Sequence, residues 1–579
     1  MSSELLSKVE AWIEGDIDAA DAAELRGLLE RARAEDAAAL TELQERFFAP
    51  LEFGTAGLRG LLGAGEHRMN RAVVVRTTLG LARALERLVP DAKRRGVVIG
   101  FDGRRKSDVF ARDAAAVLVA AGFVVHAFTE CEPTPVTAFA VKELGAAAGI
   151  MVTASHNPPE YNGYKVYWDN GAQIIPPIDA EIATEIAASP AAKEVPSTGG
   201  EGSISELGLE MEQRYLDGAA ALSLSRAGER SLCIVHTALH GVGTKMAKQL
   251  LGRVGFSRVI PVAEQADPNG EFPTVRFPNP EEKGAMDLAL RTAAEHGADL
   301  ILANDPDADR LSVAVPSVRG GYVQLTGNEV GALLGHYVLT RGPRGKNLVL
   351  ASLVSSPMLG VIAARLGARY EETLTGFKWI ANRAMAIEAE EGVRFVFGYE
   401  EALGYTVGQL VRDKDGVSAA MLFAEMAAQL HAEKSSVLAA LDALAKEYGV
   451  FVSDQMTIVR PGEKGAAELA ALMQGLRDAK PTEFGDKKVL ATADLEARVR
   501  TFADGREEAL AMPASNVLVW TLEGDARIIA RPSGTEPKAK IYFDVREPVA
   551  DGESVQDARS RALTLMESLK SAVSARLGG

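Results

Sequence analysis

The chain has only two cysteines, Cys131 and Cys233, in 579 residues, and neither belongs to a C-x-x-C pair. A disulfide framework is therefore excluded and a reducing compartment is expected. Long apolar stretches are also missing. The longest run, Ala114 to Val125, falls well short of the ~20 residues that span a bilayer. The opening segment MSSELLSKVEAWIEGD places charges where a signal peptide needs an apolar stretch. A cytoplasmic protein with no membrane partner is the expectation. Bases are scarce relative to acids, 63 Lys and Arg against 79 Asp and Glu, for a formal charge of −16. A general nucleic-acid binder needs a basic face to displace counterions, so no nucleic-acid partner is expected. There is no HExxH, no Walker A lysine loop, no G-x-G-x-x-G after the first strand and no G-x-S-x-G, so the enzyme classes built on those motifs are unsupported.

What remains is ordinary globular composition, 47% apolar and 25% charged, on a chain long enough for about four domains. After an acidic start, in which Leu25, Leu28, Leu29 and Ala32 recur at helical spacing, short β-branched runs alternate with longer helical ones. VVIGFD (97–102), a helix near 107–121, FVVHAF (123–128) and GIMVT (149–153) form one set. STGGEGS (197–203) reads as a linker. LCIVH, RVIPV and DLILA (299–303) form a second set, and NLVLA, a helix near 356–366 and RFVFG a third. Strand, helix, strand at these lengths means parallel βαβ units. The last stretch differs, with VLVWTL, RIIARP and AKIYFDV close together between helices near 463–477 and 555–576. The pattern predicts three similar α/β domains with parallel or mixed sheets and a C-terminal α+β domain, bounded at 1–205, 206–325, 326–447 and 448–579.

Ligands of open α/β sheets gather at the carboxyl ends of strands, and four loops there carry chemistry. TASHNPPEYNGYKVYWDNG (153–171) offers Ser155 on a proline-stiffened turn, as a phosphoryl carrier or as a turn-stabilising serine. NDPDADRL (304–311) offers Asp305, Asp307 and Asp309, which can converge on a hard cation. An EF-hand is rejected, since its sixth and twelfth positions are Arg310 and Pro316. Like carboxylates ~4 Å apart repel by about 4 kcal/mol at an effective dielectric of ~20, and magnesium suits such a site. FGYEEALGYTVGQLVRDKDGVSAA (397–420) presents Glu400 and Glu401, as acceptors for vicinal sugar hydroxyls or as an acidic turn. Lys414 in it, and Lys378 in TLTGFKW, read equally as functional or as surface charges. RPSGTEPKAKIYF (531–543) combines Arg531, Ser533, Gly534 and Thr535 in a donor-rich loop suited to an anion, or to a plain hairpin turn. A carrier serine, a cation site, a polyol reader and a phosphate clamp together suggest phosphoryl transfer on a sugar phosphate.

TASHNP, DPDADR, the E-E-A-L-G loop and RPSGTEPK stand in the order and spacing found in the α-D-phosphohexomutases, and GTAGLRG (54–60) is similar to their N-terminal arginine loop. The resemblance covers roughly residues 50–579. NGYKVYWDNGAQI, TGFKWIANR and DKDGVSAA resemble the phosphoglucomutase branch, which also contains phosphopentomutase and glucose 1,6-bisphosphate synthase activities. The resemblance implies four domains lining one central cleft. It implies phosphorylation of Ser155 and magnesium on Asp305, Asp307, Asp309 and the phosphoserine. Arg59 and Arg310 would then lie near the transferred group, with His156 and Lys165 in proton handling. Glu400 would read sugar hydroxyls and Thr375, Gly376 and Lys378 sugar orientation. Arg531, Ser533, Gly534 and Thr535, helped by Lys414, would hold the non-reacting phosphate. Its partners would be small sugar phosphates, with glucose 1,6-bisphosphate as intermediate and activator. One departure is Ala402, where many glucose-specific members carry Ser. Rival readings are phosphopentomutase, phosphomannomutase or bisphosphate synthase activity, a phosphatase carrying phosphate on Asp305, and a non-catalytic sugar-phosphate sensor.

Overall fold

The computed structural model describes residues 3–54, 57–225, 230–460, 465–532 and 538–577. Contacts divide the chain into two compact units, the first comprising Met1–Thr326, Phe377–Met385 and Leu403–Gln429, the second Gly327–Gly376, Ala386–Ala402 and Leu430–Gly579. Among the described residues no helix is long and apolar enough to cross a membrane.

The first unit opens with helices Ser3–Gly15, Ala19–Arg33 and Ala37–Phe47. Asp18 and Asp36 start the second and third by accepting hydrogen bonds from the first free N–H groups. Leu25, Leu28, Leu29 and Ala32 are buried among these helices, as their spacing predicts.

A six-stranded mixed sheet follows, in the order Leu58–Leu61, Tyr161–Tyr167, Ala148–Val152, Val97–Phe101, Val124–Phe128, Ser203–Leu207. Val97–Phe101 runs parallel to both Ala148–Val152 and Val124–Phe128. Parallel strands covered on both faces are apolar throughout, and Val97, Val98 and Ile99 are accordingly all buried. Phe110, Leu118, Leu81 and Leu85 from two flanking helices join that core. Truncating one such phenylalanine to Ala costs about 3–5 kcal/mol.

Two stretches differ from the sequence reading. The supposed linker 197–203 leads directly into Ser203–Leu207, which pairs in parallel with Val124–Phe128 at the edge of the sheet. Two of its glycines serve close packing: a Cβ on Gly200 would lie 2.6 Å from the Ala120 carbonyl oxygen and one on Gly202 2.4 Å from that of Phe123. The segment after Ser155 is not all loop, because Tyr161–Tyr167 is a strand, antiparallel to Ala148–Val152.

The second sheet of this unit runs Tyr322–Gln324, Ser312–Pro316, Leu300–Ala303, Ile234–Thr237, Val259–Pro261, with the last three parallel. In the second unit Asn347–Ser352 lies parallel to Arg369–Thr373 on one side and Arg394–Glu400 on the other. Its C-terminal part is an eight-stranded antiparallel sheet whose central strands are Lys538–Glu547, Ala526–Pro532 and Leu518–Leu522. Helices Gly465–Ala479 and Val555–Arg576 cover its core of Trp520, Ile528 and Phe543 with Met473, Met566 and Leu569. Parallel βαβ layers followed by a strand-rich, helix-covered end match the expected α/β and α+β classes.

Candidate active site

Three strand ends of the first unit build the site. Val97–Phe101 ends at Asp102, Ala148–Val152 at Thr153, and Leu300–Ala303 at Asn304 and Asp305. Asp102 is buried and accepts hydroxyl hydrogen bonds from Ser107 and Thr153, both at 2.7 Å. Thr153 Oγ1 in turn accepts the Ser155 N–H at 2.8 Å. Ser155 is thereby held at φ 52°, a left-handed conformation that costs a non-glycine residue roughly 1–2 kcal/mol.

Arg104 locks the loop from behind. Its guanidinium, buried and 3.3 Å from Asp102, donates to the carbonyl oxygens of Ser155, Asn157, Pro158 and Tyr161 and lies 4.8 Å from the Phe272 ring centre. Sequence reasoning missed Asp102 and Arg104. The signal was there, an Asp and an Arg at the carboxyl end of the VVIGF strand.

Ser155 Oγ donates to Asp305 Oδ2 at 2.7 Å and lies 3.1 Å from His156 Nδ1. Asp305, Asp307 and Asp309 are fully buried and each offers an oxygen within 4.8 Å of the others. Lys165, on the strand Tyr161–Tyr167, reaches Asp307 Oδ2 at 2.7 Å and Asp309 Oδ2 at 2.9 Å. Thr134 donates to Asp307 at 2.6 Å, and Lys414 lies 3.1 Å from Asp309. The second oxygens, Asp307 Oδ1 and Asp309 Oδ1, are buried and have no hydrogen-bond partner among the described residues. A buried carboxylate oxygen without a donor is costly, and two in one oxygen-only cluster fit a hard divalent cation such as magnesium.

Burial and the charges of Asp307 and Asp309 push the Asp305 carboxyl well above its usual range. Burial also raises Asp307 and Asp309, but Lys165 with the Thr134 hydroxyl for Asp307, and Lys165 with Lys414 and Arg310 for Asp309, together outweigh it and hold both below the usual range. Burial, then the cations Arg310 and Arg59, drive His156 well below its ordinary value, so the imidazole is neutral. Burial likewise lowers Arg59, to about 10, with Arg310 adding to it. Arg59 Nη1 donates to Asn157 Oδ1 at 2.9 Å, and the Arg310 backbone N–H donates to Asp305 at 3.1 Å. Residues 55 and 56 of the arginine loop lie outside the described residues.

The DKDG segment is fixed at both aspartates. Asp413 accepts from Tyr167 and Gln173, each at 2.7 Å. Asp415 accepts from Tyr215 at 2.7 Å and from the Val417 and Ser418 N–H groups at the start of helix Gly416–Ala432. Gly416 is required by close approach, since a Cβ there would lie 2.1 Å from the Arg310 carbonyl oxygen. Lys378, also in the first unit, donates to the Gly54 carbonyl at 3.3 Å.

The second unit holds the remaining predicted residues. Glu400, at the end of strand Arg394–Glu400, accepts the Gly376 N–H at 2.7 Å, where Gly376 has φ +115°. The Thr375 hydroxyl is buried and has no hydrogen-bond partner among the described residues. Glu401 is engaged by the hydroxyls of Ser352 and Ser355, at 3.1 and 3.3 Å. Arg531 shares the electrostatic surroundings of Tyr542 with Glu400 and Glu401. Ser533, Gly534 and Thr535 lie outside the described residues.

A buried serine hydroxyl on a carboxylate, a cation-ready trio and several basic side chains form a place to accept and pass on an anionic group.

Comparison with known proteins bears on that chemistry. Four family models match in order: phosphoglucomutase/phosphomannomutase alpha/beta/alpha domain I over residues 50–193, domain II over 213–320, domain III over 326–448, and the C-terminal domain over 459–562. The chain is 42% identical over 483 residues to a protein named "Probable phosphomannomutase" from Haemophilus influenzae, covering 83% of this chain and 93% of that one. It is 37% identical over 542 residues to human phosphopentomutase, covering 89% and 88%. The crystal structure of a phosphoglucomutase/phosphomannomutase family protein from Burkholderia thailandensis shares the fold with a TM-score of 0.63 at 20% identity, over 89% of this chain and 97% of the other.

Proposed function

Because the chain belongs to the phosphoglucomutase/phosphomannomutase family of phosphosugar mutases, we propose that it interconverts glucose 1-phosphate and glucose 6-phosphate through phospho-Ser155 and glucose 1,6-bisphosphate. The observation that supports this most is the Ser155 hydroxyl 2.7 Å from Asp305, within a carboxylate trio that keeps two oxygens unpartnered.

In this reading Asp305, Asp307 and Asp309 hold magnesium together with an oxygen of the phosphoserine. A phosphoserine carries about −1.5 to −2 at neutral pH, so the trio and the phosphate need the cation jointly. When bound, magnesium supplies neutralisation of charge on the transferring oxygens.

The protein's own residues do the rest. The bond between Ser155 Oγ and phosphorus breaks as the free sugar hydroxyl bonds to phosphorus. That hydroxyl's proton passes to the departing Ser155 Oγ, with neutral His156 Nδ1 beside it to carry it. Arg59 and Arg310 stabilise the charge of the group in flight. The bisphosphate then turns over and returns its other phosphoryl group to Ser155. Glu400, Thr375, Gly376 and Lys378 read the sugar, and Arg531, Ser533, Gly534 and Thr535 hold the phosphate that does not react; Lys414, expected from the resemblance to help there, is instead paired with Asp309 and adds positive charge at the trio. Lys165, tied to two aspartates, is a cation in this arrangement and organises the trio.

Two observations favour a second reading, a pentose substrate. Ala402 removes a hydroxyl donor beside Glu400 and Glu401, and human phosphopentomutase is 37% identical. A phosphorus NMR time course with magnesium, a trace of glucose 1,6-bisphosphate, and equal glucose 1-phosphate and ribose 1-phosphate decides between them. Faster formation of glucose 6-phosphate supports the first reading, faster formation of ribose 5-phosphate the second. Turnover of either that survives in Ser155→Ala removes the phosphoserine route.

A further inference from the structure

A second polar cavity lies in the first unit, away from the residues discussed above. Helix Ser3–Gly15 approaches the segment at Ala191 so closely that a Cβ on Gly15 would stand 2.7 Å from the Ala191 side chain, and its Trp12 lies near Arg76 of helix Arg71–Leu88. This helix precedes residue 50, where the first family model begins.

A cavity of about 240 Å³ remains between these elements, lined by Lys8, Trp12, Asp16, Glu66 and Arg76 among small alanines. Lys8 and Glu66 form an ion pair at its edge. Asp16 is only 3% exposed; its Oδ1 accepts the Asp18 N–H at 2.9 Å, while its Oδ2 closes no hydrogen bond of full geometry among the described residues. The indole N–H of Trp12 faces the Asp16 carboxylate, close enough to act on it as a donor but outside full hydrogen-bond geometry, and among the described residues the buried Arg76 Nε–H has no acceptor. The Arg76 guanidinium lies 5.8 Å from the Trp12 ring centre.

Buried polar groups are normally satisfied, and a set of them converging on one cavity marks a place for a ligand. Here a loosely closed donor–acceptor pair, Trp12 and Asp16, stands beside an open Arg76 donor, and the two cations are matched by two anions. A charged ligand would upset that balance, whereas hydroxyl groups both donate and accept without charge. The volume is below the roughly 300–1,000 Å³ of sites for drug-sized molecules, which suits a single small ring. We propose that this cavity binds an uncharged polyol of monosaccharide size, gripped by Asp16, Trp12 and Arg76. The site is independent of the catalytic reading.

The full-length protein labelled with 5-fluorotryptophan tests this by fluorine NMR, since it has four tryptophans and Trp12→Phe identifies the relevant signal. D-glucose, D-ribose and myo-inositol serve as probes, with L-alanine as a zwitterionic control. The expected result is a saturable shift of the Trp12 signal with at least one neutral polyol. Asp16→Asn, which turns that acceptor into a donor, should weaken it about tenfold. Ala11→Phe, at an exposed lining position, should close the cavity without threatening the fold and abolish the shift. No shift of Trp12 with any polyol would overturn the proposal and leave water as the occupant. So would an undiminished shift in Ala11→Phe, or a response to L-alanine alone.

Discussion

The Lys165 ammonium lies 2.7 Å from Asp307 Oδ2, on the oxygen that also takes the Thr134 hydroxyl, and both charged groups are sealed from solvent. Burial pulls the lysine pKa down, but Asp307 and Asp309 outweigh it, and the value rises above that of a free lysine. Lys165 therefore stands in for part of the charge that a metal ion would bring.

That relationship predicts the behaviour of Lys165→Met. Without divalent ions the three buried carboxylates lose their main counter-charge, and stability should fall by about 3–5 kcal/mol. Magnesium should restore more stability to the variant than it adds to the wild type, because ligand binding to the native state stabilises by mass action. Urea titrations with EDTA and with magnesium measure both. Equal magnesium gains in the two proteins would mean that the trio does not take the ion. Loss of turnover in a variant whose stability magnesium has restored would return Lys165 to a direct role in proton transfer.

Arg104 gives a second prediction. Its guanidinium holds four carbonyls of the Ser155 loop, none of them on a residue assigned to sugar recognition. Arg104→Met should therefore lower kcat about a hundredfold, the scale of a slight misplacement of reacting groups, with little change in KM. Arg104→Lys should not rescue it, since an ammonium cannot span the planar fork's targets. Steady-state kinetics suffice. A rise in KM at unchanged kcat would show that the loop positions substrate and not the serine.

The carboxylate trio and Ser155 were legible because strand ends in α/β sheets concentrate ligand chemistry and because their residue types are distinctive. Lys165 was legible by type but not by placement. Tyr161–Tyr167 is buried on both faces, apart from its first residue, so the apolar alternation that announces a strand is absent. Ser203–Leu207 failed for the opposite reason. It is an edge strand whose residues are mostly exposed, and the glycines before it, of which Gly200 and Gly202 allow close packing, look like a linker. Thr375, Gly376 and Lys378 are nearly contiguous in sequence, yet the first two belong to one compact unit and Lys378 to the other. No local pattern reports such a division.

Glu132 provides a pH test away from the carboxylate trio. It is buried after strand Val124–Phe128, where burial first, then the neighbouring Glu212, push its carboxyl up to about 9, against a partial offset from Lys245. The folded state therefore holds a proton that the unfolded state releases near pH 4.5. Between these values the unfolded chain binds fewer protons, so this group's contribution to stability falls as pH rises, by at most about 1.4 kcal/mol per unit. Glu132→Gln should flatten that slope and raise Tm relative to wild type at pH 8 more than at pH 5. Equal Tm differences at the two pH values would show that Glu132 is ionised in the native state.

Ala402 carries the last prediction, which bears on substrate choice. It follows Glu400 and Glu401 at the end of strand Arg394–Glu400, in the stretch proposed to read sugar hydroxyls. A site that hydrogen-bonds a substrate hydroxyl rejects analogues lacking it far more strongly than an apolar pocket rejects a missing methylene. Ala402→Ser adds such a hydrogen-bonding group. The ratio of kcat/KM for glucose 1-phosphate over ribose 1-phosphate should then rise by about tenfold or more, the equivalent of one well-made hydrogen bond. Competition in a single phosphorus NMR sample reads that ratio directly and is insensitive to the fraction of active enzyme. If the ratio stays constant, position 402 does not reach the sugar, and discrimination rests on Glu400 with Thr375, whose buried hydroxyl lacks a partner among the described residues.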